Sequence, residues 1–252
     1  MSDILNVDKI YVVHVSTDIV RENHMDKELG RFNLDFEYML KGDVSELTKE
    51  IIKDYFTGDE IGTQNPTAQQ SCTYKHLSIY EKMLKDGVDD ALIFEDDVFL
   101  SDDFVKIFNK TIDELKSLPK KHQDSALINF ENSTLQIIHP SKRVGGQCLY
   151  QSDRSRCAGA YYLNKNLAKS ITDFRIKNKC NKIIDWYHNE LIDGIGLQNY
   201  WCHPPIVEQG SHNGRIQSII DDKKYGYIRQ FTWKLKRFYQ HKIRAVISNK
   251  NK

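Results

Sequence analysis

The run Ala91-Leu-Ile-Phe94 has no polar face, and it stops abruptly in Glu95-Asp96-Asp97. A strand that is apolar on both sides has to be covered on both sides, the pattern of a sheet flanked by helices. Other short β-branched or aromatic runs repeat the pattern: Lys9 to Val15, Leu34 to Leu40, Val98 to Leu100, Ser125 to Phe130 and Ala160 to Leu163. Between them lie longer stretches with apolar residues at helical spacing, most plainly Ser71 to Leu84, which Asp86-Gly87 ends. Ser101-Asp-Asp103 reads as the N-cap of a helix running to about Leu118, and Met25 to Leu29, Asn164 to Phe174 and Lys182 to Ile192 read as further helices. Strands alternating with helices predict an α/β fold with a mostly parallel sheet, whose site lies at the carboxyl ends of the strands. Glu95-Asp96-Asp97 occupies one such end.

The chain has 252 residues, 40% hydrophobic and 28% charged, enough for one domain with a sizeable core. No stretch approaches ~18 consecutive apolar residues, and no basic-then-apolar leader opens the sequence, so a cytoplasmic chain is expected. Five scattered cysteines without a CxxC pair are expected to be reduced thiols. The net charge of +1 hides a division. No acid follows Asp222, and the last 30 residues carry ten Lys/Arg. That leaves 26 basic against 35 acidic groups before them. The division predicts a body over 1–222 and a basic amphipathic tail over 223–252. On this tail Ile228, Phe231, Leu235, Phe238 and Val246 share a face, with Trp233 and Tyr239 interspersed. Such a tail fits an anionic membrane surface, and the acidic body disfavours nucleic acid.

Three consecutive carboxylates in a crevice repel one another and raise each other's pKa unless a cation joins them. An all-oxygen set suits Mg2+ or Mn2+, ions that also bind substrate phosphates; a solvated acidic loop capping the next helix is the alternative. Cys72 and His76, four apart on one helix, are formally a metal pair but have no second pair in the sequence, and packing is the simpler reading. Arg154 and Arg156 flank Ser155 just before a turn at Gly159 and could bind phosphate or acceptor, or be solvated. Trp186 and Tyr187, beside Asp185, are either sugar-stacking or core residues.

Ala91 to Val98 resembles the signature segment of glycosyltransferase family 25. Further pieces are similar in order: residues 9–15 with Arg21, Leu34 to Asp43, Ser71-Cys-Thr-Tyr-Lys-His76, Ala158 to Asn164, Ile184-Asp185-Trp186 and Pro205-Ile-Val-Glu-Gln209. The sequence departs from the family pattern at Lys75, where a serine is usual, and between Gly62 and Ser71. The latter segment bears on the acceptor. The resemblance implies a GT-A type fold and a nucleotide-sugar donor, most often UDP-galactose. It also implies a divalent cation and inversion at the sugar C1, and the family includes enzymes that act on lipopolysaccharide core or O-antigen glycans. By this comparison Asp97 and Glu95 are the metal-binding acids of a DxD-type motif, with His212 as a later metal ligand and His203 a weaker one. Glu95, Asp96, Arg21, Arg154, Arg156 and Gly159 face the donor.

Inversion needs a carboxylate base distinct from the metal acids. Asp185, at a helix start, leads Glu131 and Asp153, while Asp173 and Glu190 are weaker candidates. Two other functions compete: a two-ion phosphotransferase or nuclease, disfavoured because no Gly-x-x-x-x-Gly-Lys or second acid cluster is present, and a non-catalytic nucleotide-sugar binding protein. Mn2+-dependent protection by UDP separates transferase from binder; phosphodiester hydrolysis would favour the nuclease.

Overall fold

Residues 9–12 and 91–94 pair side by side, Ile10 with Leu92 and Val12 with Phe94, and send alternate side chains to opposite faces of one sheet. The computed structural model describes residues 4–58, 61–62, 65–133, 137–217 and 226–239. In chain order the elements are β1 (Lys9–Val13), α1 (Ile19–Gly30), β2 (Glu37–Met39), α2 (Lys49–Tyr55), α3 (Ala68–Asp86), β3 (Asp90–Glu95), β4 (Val98–Leu100), α4 (Phe104–Lys116), α5 (Lys120–Asp124), β5 (Ala126–Asn129), β6 (Leu149–Gln151), β7 (Ala160–Asn164), α6 (Lys165–Asn178), α7 (Ile184–Ile195), β8 (Gln198–Cys202), β9 (Val207–Gln209), α8 (Gly210–Asn213) and α9 (Tyr227–Phe238).

Seven strands form the central sheet in the order β2-β1-β3-β7-β5-β8-β6. The strands β2, β1, β3, β5 and β8 run one way, and β7 and β6 run the other. The α/β class and the mostly parallel sheet are thus as expected. One face of the sheet packs Tyr11, Ile93, Tyr161 and Leu163 against α3, α6 and α7. The other packs Ile10, Val12, Leu92, Phe94 and Tyr162 against Met25 and Leu29 of α1 and Phe104, Phe108 and Ile112 of α4. Ala91, Leu92, Ile93 and Phe94 have no exposed surface, as a strand apolar on both sides requires.

Where local pattern and structure part, packing gives the reason. The alternating stretch from Leu34 to Leu40 supplies only three paired residues, because β2 is the sheet edge and Leu34 and Phe36 turn onto the α1/α4 core instead. Asp103 occupies the N-cap position of α4 but makes no side-chain cap bond. Gly87 ends α3 in the left-handed region, as its type allows. Strands β6 and β8 lacked an apolar run to announce them, yet Tyr200, Trp201 and Cys202 are buried.

The antiparallel β7 positions the site. Because it runs against β3 and β5, its first residues lie beside their last ones: Glu95 N donates to Gly159 O (2.9 Å) and Phe130 N to Ala160 O (3.0 Å). The chain then leaves β8 and returns as β9, which pairs with β4 so that Gln209 stands opposite Val98, directly after the acids. Of the basic tail, α9 is described, apart from the side chains of Tyr227 and Ile228. Residues 223–225 and 240–252, with Val246 among them, lie outside the described residues.

Candidate active site

Glu95, the last residue of β3, is held through both carboxylate oxygens. Gln209 Nε2 donates to Oε2 at 2.6 Å, while Oε1 faces His76 Nε2 at 3.7 Å and Cys72 Sγ at 3.9 Å. The same Gln209 amide reaches Asp97 Oδ1 at 3.5 Å, so one side chain spans the two outer acids of the motif. Asp97 is buried, and Ser211 N at the start of α8 donates to its Oδ2 at 2.9 Å. Burial, and next the charge of Glu95, raise the pKa of Asp97. Gly159 permits this arrangement. A Cβ there would stand 2.5 Å from Gln209 Cδ.

The middle acid has a different office. Asp96 points the other way, accepting from His14 Nδ1 at 2.8 Å and from the Arg21 guanidinium. Burial opposes its charge, but these two partners hold its pKa below the ordinary value. Arg21 also donates to Gln217 O at 2.7 Å. The Arg21–Asp96 pair thereby ties α1, the acidic turn and the segment after α8 together.

A second group of acids gathers opposite. Glu131, beyond the end of β5, is buried; it accepts from Gly159 N at 3.2 Å, and His212 Nδ1 lies 3.3 Å from its Oε1. The His212 side chain is about half exposed, and the partial desolvation that works against an imidazolium there is outweighed by Glu131, then Asp97 and Glu95, which push the pKa up to about 9. Asp185 is in the first turn of α7, where the helix dipole favours a carboxylate, and its carboxylate accepts from the backbone of Ala158. Even so, burial and then the charges of Glu95 and Glu131 push its pKa up to about 8.

The structure therefore brings Glu95, Asp97, Glu131, Asp185, Gly159 and His212 to one end of the sheet. His212 does not join Glu95 and Asp97 as a single ligand cluster. Among the described residues, the groups of three whose ligand atoms lie within 4.8 Å of one another are Cys72, His76 and Glu95, and Glu131, Cys157 and His212. Asp153 and Arg154 are exposed on the loop after β6, and the Arg154 carbonyl accepts from Asn199 and Trp201. Arg156 lies over the ring of Trp186 at 5.7 Å, and Trp186 is half exposed next to Asp185. Tyr187 is a core residue. Asp173 pairs with Lys169 on the surface, and His203 stands against Tyr150.

Beside the acids opens a cavity of about 520 Å³, walled by residues 14–17, by 43–46, by the first turns of α3 and by the acidic turn. The residue that builds its wall, Lys75, was visible only as a departure from a motif. Its ammonium is buried and donates to His14 O, to Leu40 O at 3.0 Å and to Asp43 Oδ1 at 2.5 Å. Ser16 Oγ donates to the other oxygen of Asp43 at 2.5 Å. Gln209 was likewise legible only as part of a closing segment, since nothing local says that an amide 114 residues from Glu95 will bond it.

Residues 7–185 match the model of glycosyltransferase family 25 (LPS biosynthesis protein). The chain is 24% identical over 168 residues to the lipooligosaccharide biosynthesis protein lic2B of Haemophilus influenzae, a match covering 64% of this chain and 61% of that protein's length. Among solved structures it is similar to a glycosyltransferase involved in the glycosylation of the major capsid of PBCV-1 (TM-score 0.41, 8% identity, 90% and 98% of the two chains). A nucleoside-diphosphate-sugar pyrophosphorylase from Vibrio cholerae RC9 is also similar (TM-score 0.29, 13% identity, 77% and 72%). The family match runs from just before β1 into the first turn of α7, and so takes in the cavity wall apart from Ser211, the acidic strand end and Asp185: the chain belongs to glycosyltransferase family 25.

Proposed function

We propose that this chain is an inverting glycosyltransferase moving a hexose, galactose from UDP-galactose, to a glycan acceptor of the lipopolysaccharide core or O-antigen kind. The observation that carries the reading is the convergence of Glu131 and Asp185 on Glu95 and Asp97, the two acids that line a cavity of about 520 Å³. That volume lies in the range of small-molecule sites. The acceptor class follows the Haemophilus relative, a lipooligosaccharide biosynthesis protein.

The residues fit a hard divalent cation. Asp97 and Glu95 are two neighbouring carboxylates, one of them buried, and the charge of Glu95 raises the pKa of Asp97, a repulsion that a bound cation would relieve. Mn2+ or Mg2+ held by Glu95 and Asp97 supplies charge neutralisation for the leaving diphosphate. His212, cationic through Glu131, adds a second positive group on that side, and Arg21 keeps Asp96 out of the cluster.

Asp185 takes the acceptor hydroxyl's proton as that oxygen attacks C1 from the face opposite the diphosphate. Its raised pKa, held high by burial and by Glu95 and Glu131, suits a base working near neutrality. Glu131 and Asp153 are the alternatives. Glu131 is already engaged by His212 and Gly159, and Asp153 is exposed. The half-exposed Trp186, with Arg156 against its ring, offers the acceptor sugar an apolar plate beside the base.

The helix α9 is the membrane-facing element of this reading. No helix among the described residues is long and apolar enough to cross a membrane. Phe231, Leu235 and Phe238 are exposed on α9 among Lys234, Lys236 and Arg237, a pattern suited to lying on an anionic surface. Arg237 lies 3.5 Å from Glu208 and Gln230 donates to Gly214 O, which sets the helix beside the segment that carries Gln209 and His212.

The test is a screen of nucleotide sugars for hydrolysis with Mn2+ and without acceptor. UDP-galactose is expected to release UDP, and EDTA to abolish the release. Asp97→Ala should lose about two or more orders of magnitude in rate while still folding, because its removal relieves repulsion from Glu95. Full activity in thoroughly chelated protein overturns the metal assignment, and no turnover of any nucleotide sugar overturns the function.

A further inference from the structure

The geometry points to a second metal site, for a thiophilic divalent cation of the zinc type, formed by Cys72, His76 and Glu95. Cys72 and His76 stand four residues apart on one face of α3, and that face turns to the end of β3. Glu95 Oε1 lies 3.9 Å from Cys72 Sγ and 3.7 Å from His76 Nε2. The nitrogen–oxygen gap is too long for a hydrogen bond. Both gaps are close to what one tetrahedral ion spans. Bonds of ~2.3 Å to sulfur and ~2.1 Å to nitrogen and oxygen separate the ligand atoms by about 3.4–3.6 Å, so the two contacts to Glu95 need to close by only a few tenths of an ångström, and all three ligand atoms already lie within 4.8 Å of one another.

A second observation points into the same spot. His76 is fully buried, and its Nε2 has no hydrogen-bond partner. A buried polar atom left so is costly unless something else occupies it. The other ring nitrogen is anchored as a metal-bound histidine's is. Nδ1 bonds the Tyr161 hydroxyl at 2.8 Å, that hydroxyl bonds Tyr80 at 2.6 Å, and Tyr80 bonds His188 Nε2 at 2.8 Å. The network admits donation in either direction, and when it runs from His76 Nδ1–H through the two tyrosines to His188 the lone pair of Nε2 faces Cys72 and Glu95. Such outer partners fix the tautomer and ring orientation of a ligand.

Cys72 is partly exposed and borders the cavity, so the fourth position opens toward it. On binding, the S–H bond of Cys72 breaks, its proton passes to solvent and the electron pair left on sulfur bonds the ion. A thiolate and an imidazole select a zinc-type ion over Mn2+ or Mg2+, which separates this site in chemistry from the carboxylate pair of Glu95 and Asp97. Glu95 is common to both.

Cobalt(II), a spectroscopic substitute for zinc, tests the site in the full chain with no sugar donor present, so the outcome is independent of glycosyl transfer. One equivalent is expected to give a thiolate-to-cobalt charge-transfer band in the near ultraviolet, displaced by Zn2+. Cys72→Ser should lose the band, and His76→Gln should weaken cobalt binding at least about tenfold, with far-ultraviolet circular dichroism unchanged in both. Cys157→Ser should keep the band. No band in the parent protein overturns the site. So does a band that survives Cys72→Ser and disappears in Cys157→Ser, which would place the ion with Glu131 and His212.

Discussion

At the scale of single residues, Asp185 and Gly159 carry the sharpest consequences. The folded-state pKa of Asp185, about 8, lies above the ~3.9 of an unfolded chain, so between these values the folded protein holds the extra proton. Its contribution to stability therefore declines as pH rises from about 4 to about 8 and is constant above. Asp185→Asn keeps an acceptor for the Ala158 backbone and removes the charge. It should melt higher than the parent by about 2–4 °C or more at pH 8, with a smaller margin at pH 5. A margin that does not change with pH would mean that the carboxyl is not desolvated. The same variant should bind donor normally and lose at least ~100-fold in transfer rate. In the parent, kcat/KM should climb with pH along a limb ending at or below about 8, and this limb should be missing from the variant. Gly159→Ala acts through a neighbour. The added methyl displaces Gln209 and with it the donor to Glu95 and Asp97. Mn2+ affinity and turnover should both fall at least ~10-fold while the fold persists; unchanged Mn2+ binding would show that Gln209 does not orient the acids.

At the scale of elements, α3 does more than cover the sheet. Its first half lines the cavity, and Lys75 pins the two loops opposite by binding His14 O, Leu40 O and Asp43. Burial opposes the charge on Asp43, yet the bonds from Lys75 and Ser16 hold its pKa below the ordinary value. Removing one partner of such a pair leaves a charge and two carbonyls unanswered. Lys75→Met should cost about 3–5 kcal/mol, read as a lower urea midpoint at an unchanged m-value. A loss under ~1 kcal/mol would mean that water reaches the Asp43 carboxylate. The antiparallel β7 has an equally definite consequence, since it delivers Tyr161 to His76 and sets Gly159, the residue just before it, against the acids.

At the scale of the whole molecule, the charge division bears on where the protein works. The body carries the acids and the last 30 residues ten Lys/Arg without one. On α9 the exposed Phe231, Leu235 and Phe238 add an apolar contact to that charge. Each basic residue near an anionic surface contributes about 1 kcal/mol, and the sum is screened by salt. Co-sedimentation with vesicles containing anionic lipid is expected at low salt and should be lost at high salt or on truncation after Asp222. Equal sedimentation with neutral vesicles would contradict the electrostatic part.

The sequence by itself determined the class of fold, the placement of the apolar strands and the position of Glu95-Asp96-Asp97 at a strand end. These follow from the period and length of hydrophobic runs, which are local properties of the chain. It also marked Asp185 at a helix start and the basic amphipathic pattern that became α9. Only the tertiary structure decided that β7 lies antiparallel between β3 and β5, that Asp96 turns away to His14 and Arg21, and that Gln209 joins Glu95 to Asp97. It likewise gave His212 to Glu131 rather than to the acidic motif and made Lys75 a buried anchor. Each of these joins residues tens of positions apart through one specific bond. Hydrophobic periodicity says which face of an element is covered, but the partner of a polar side chain is chosen by what the packed elements bring within about 3 Å of it.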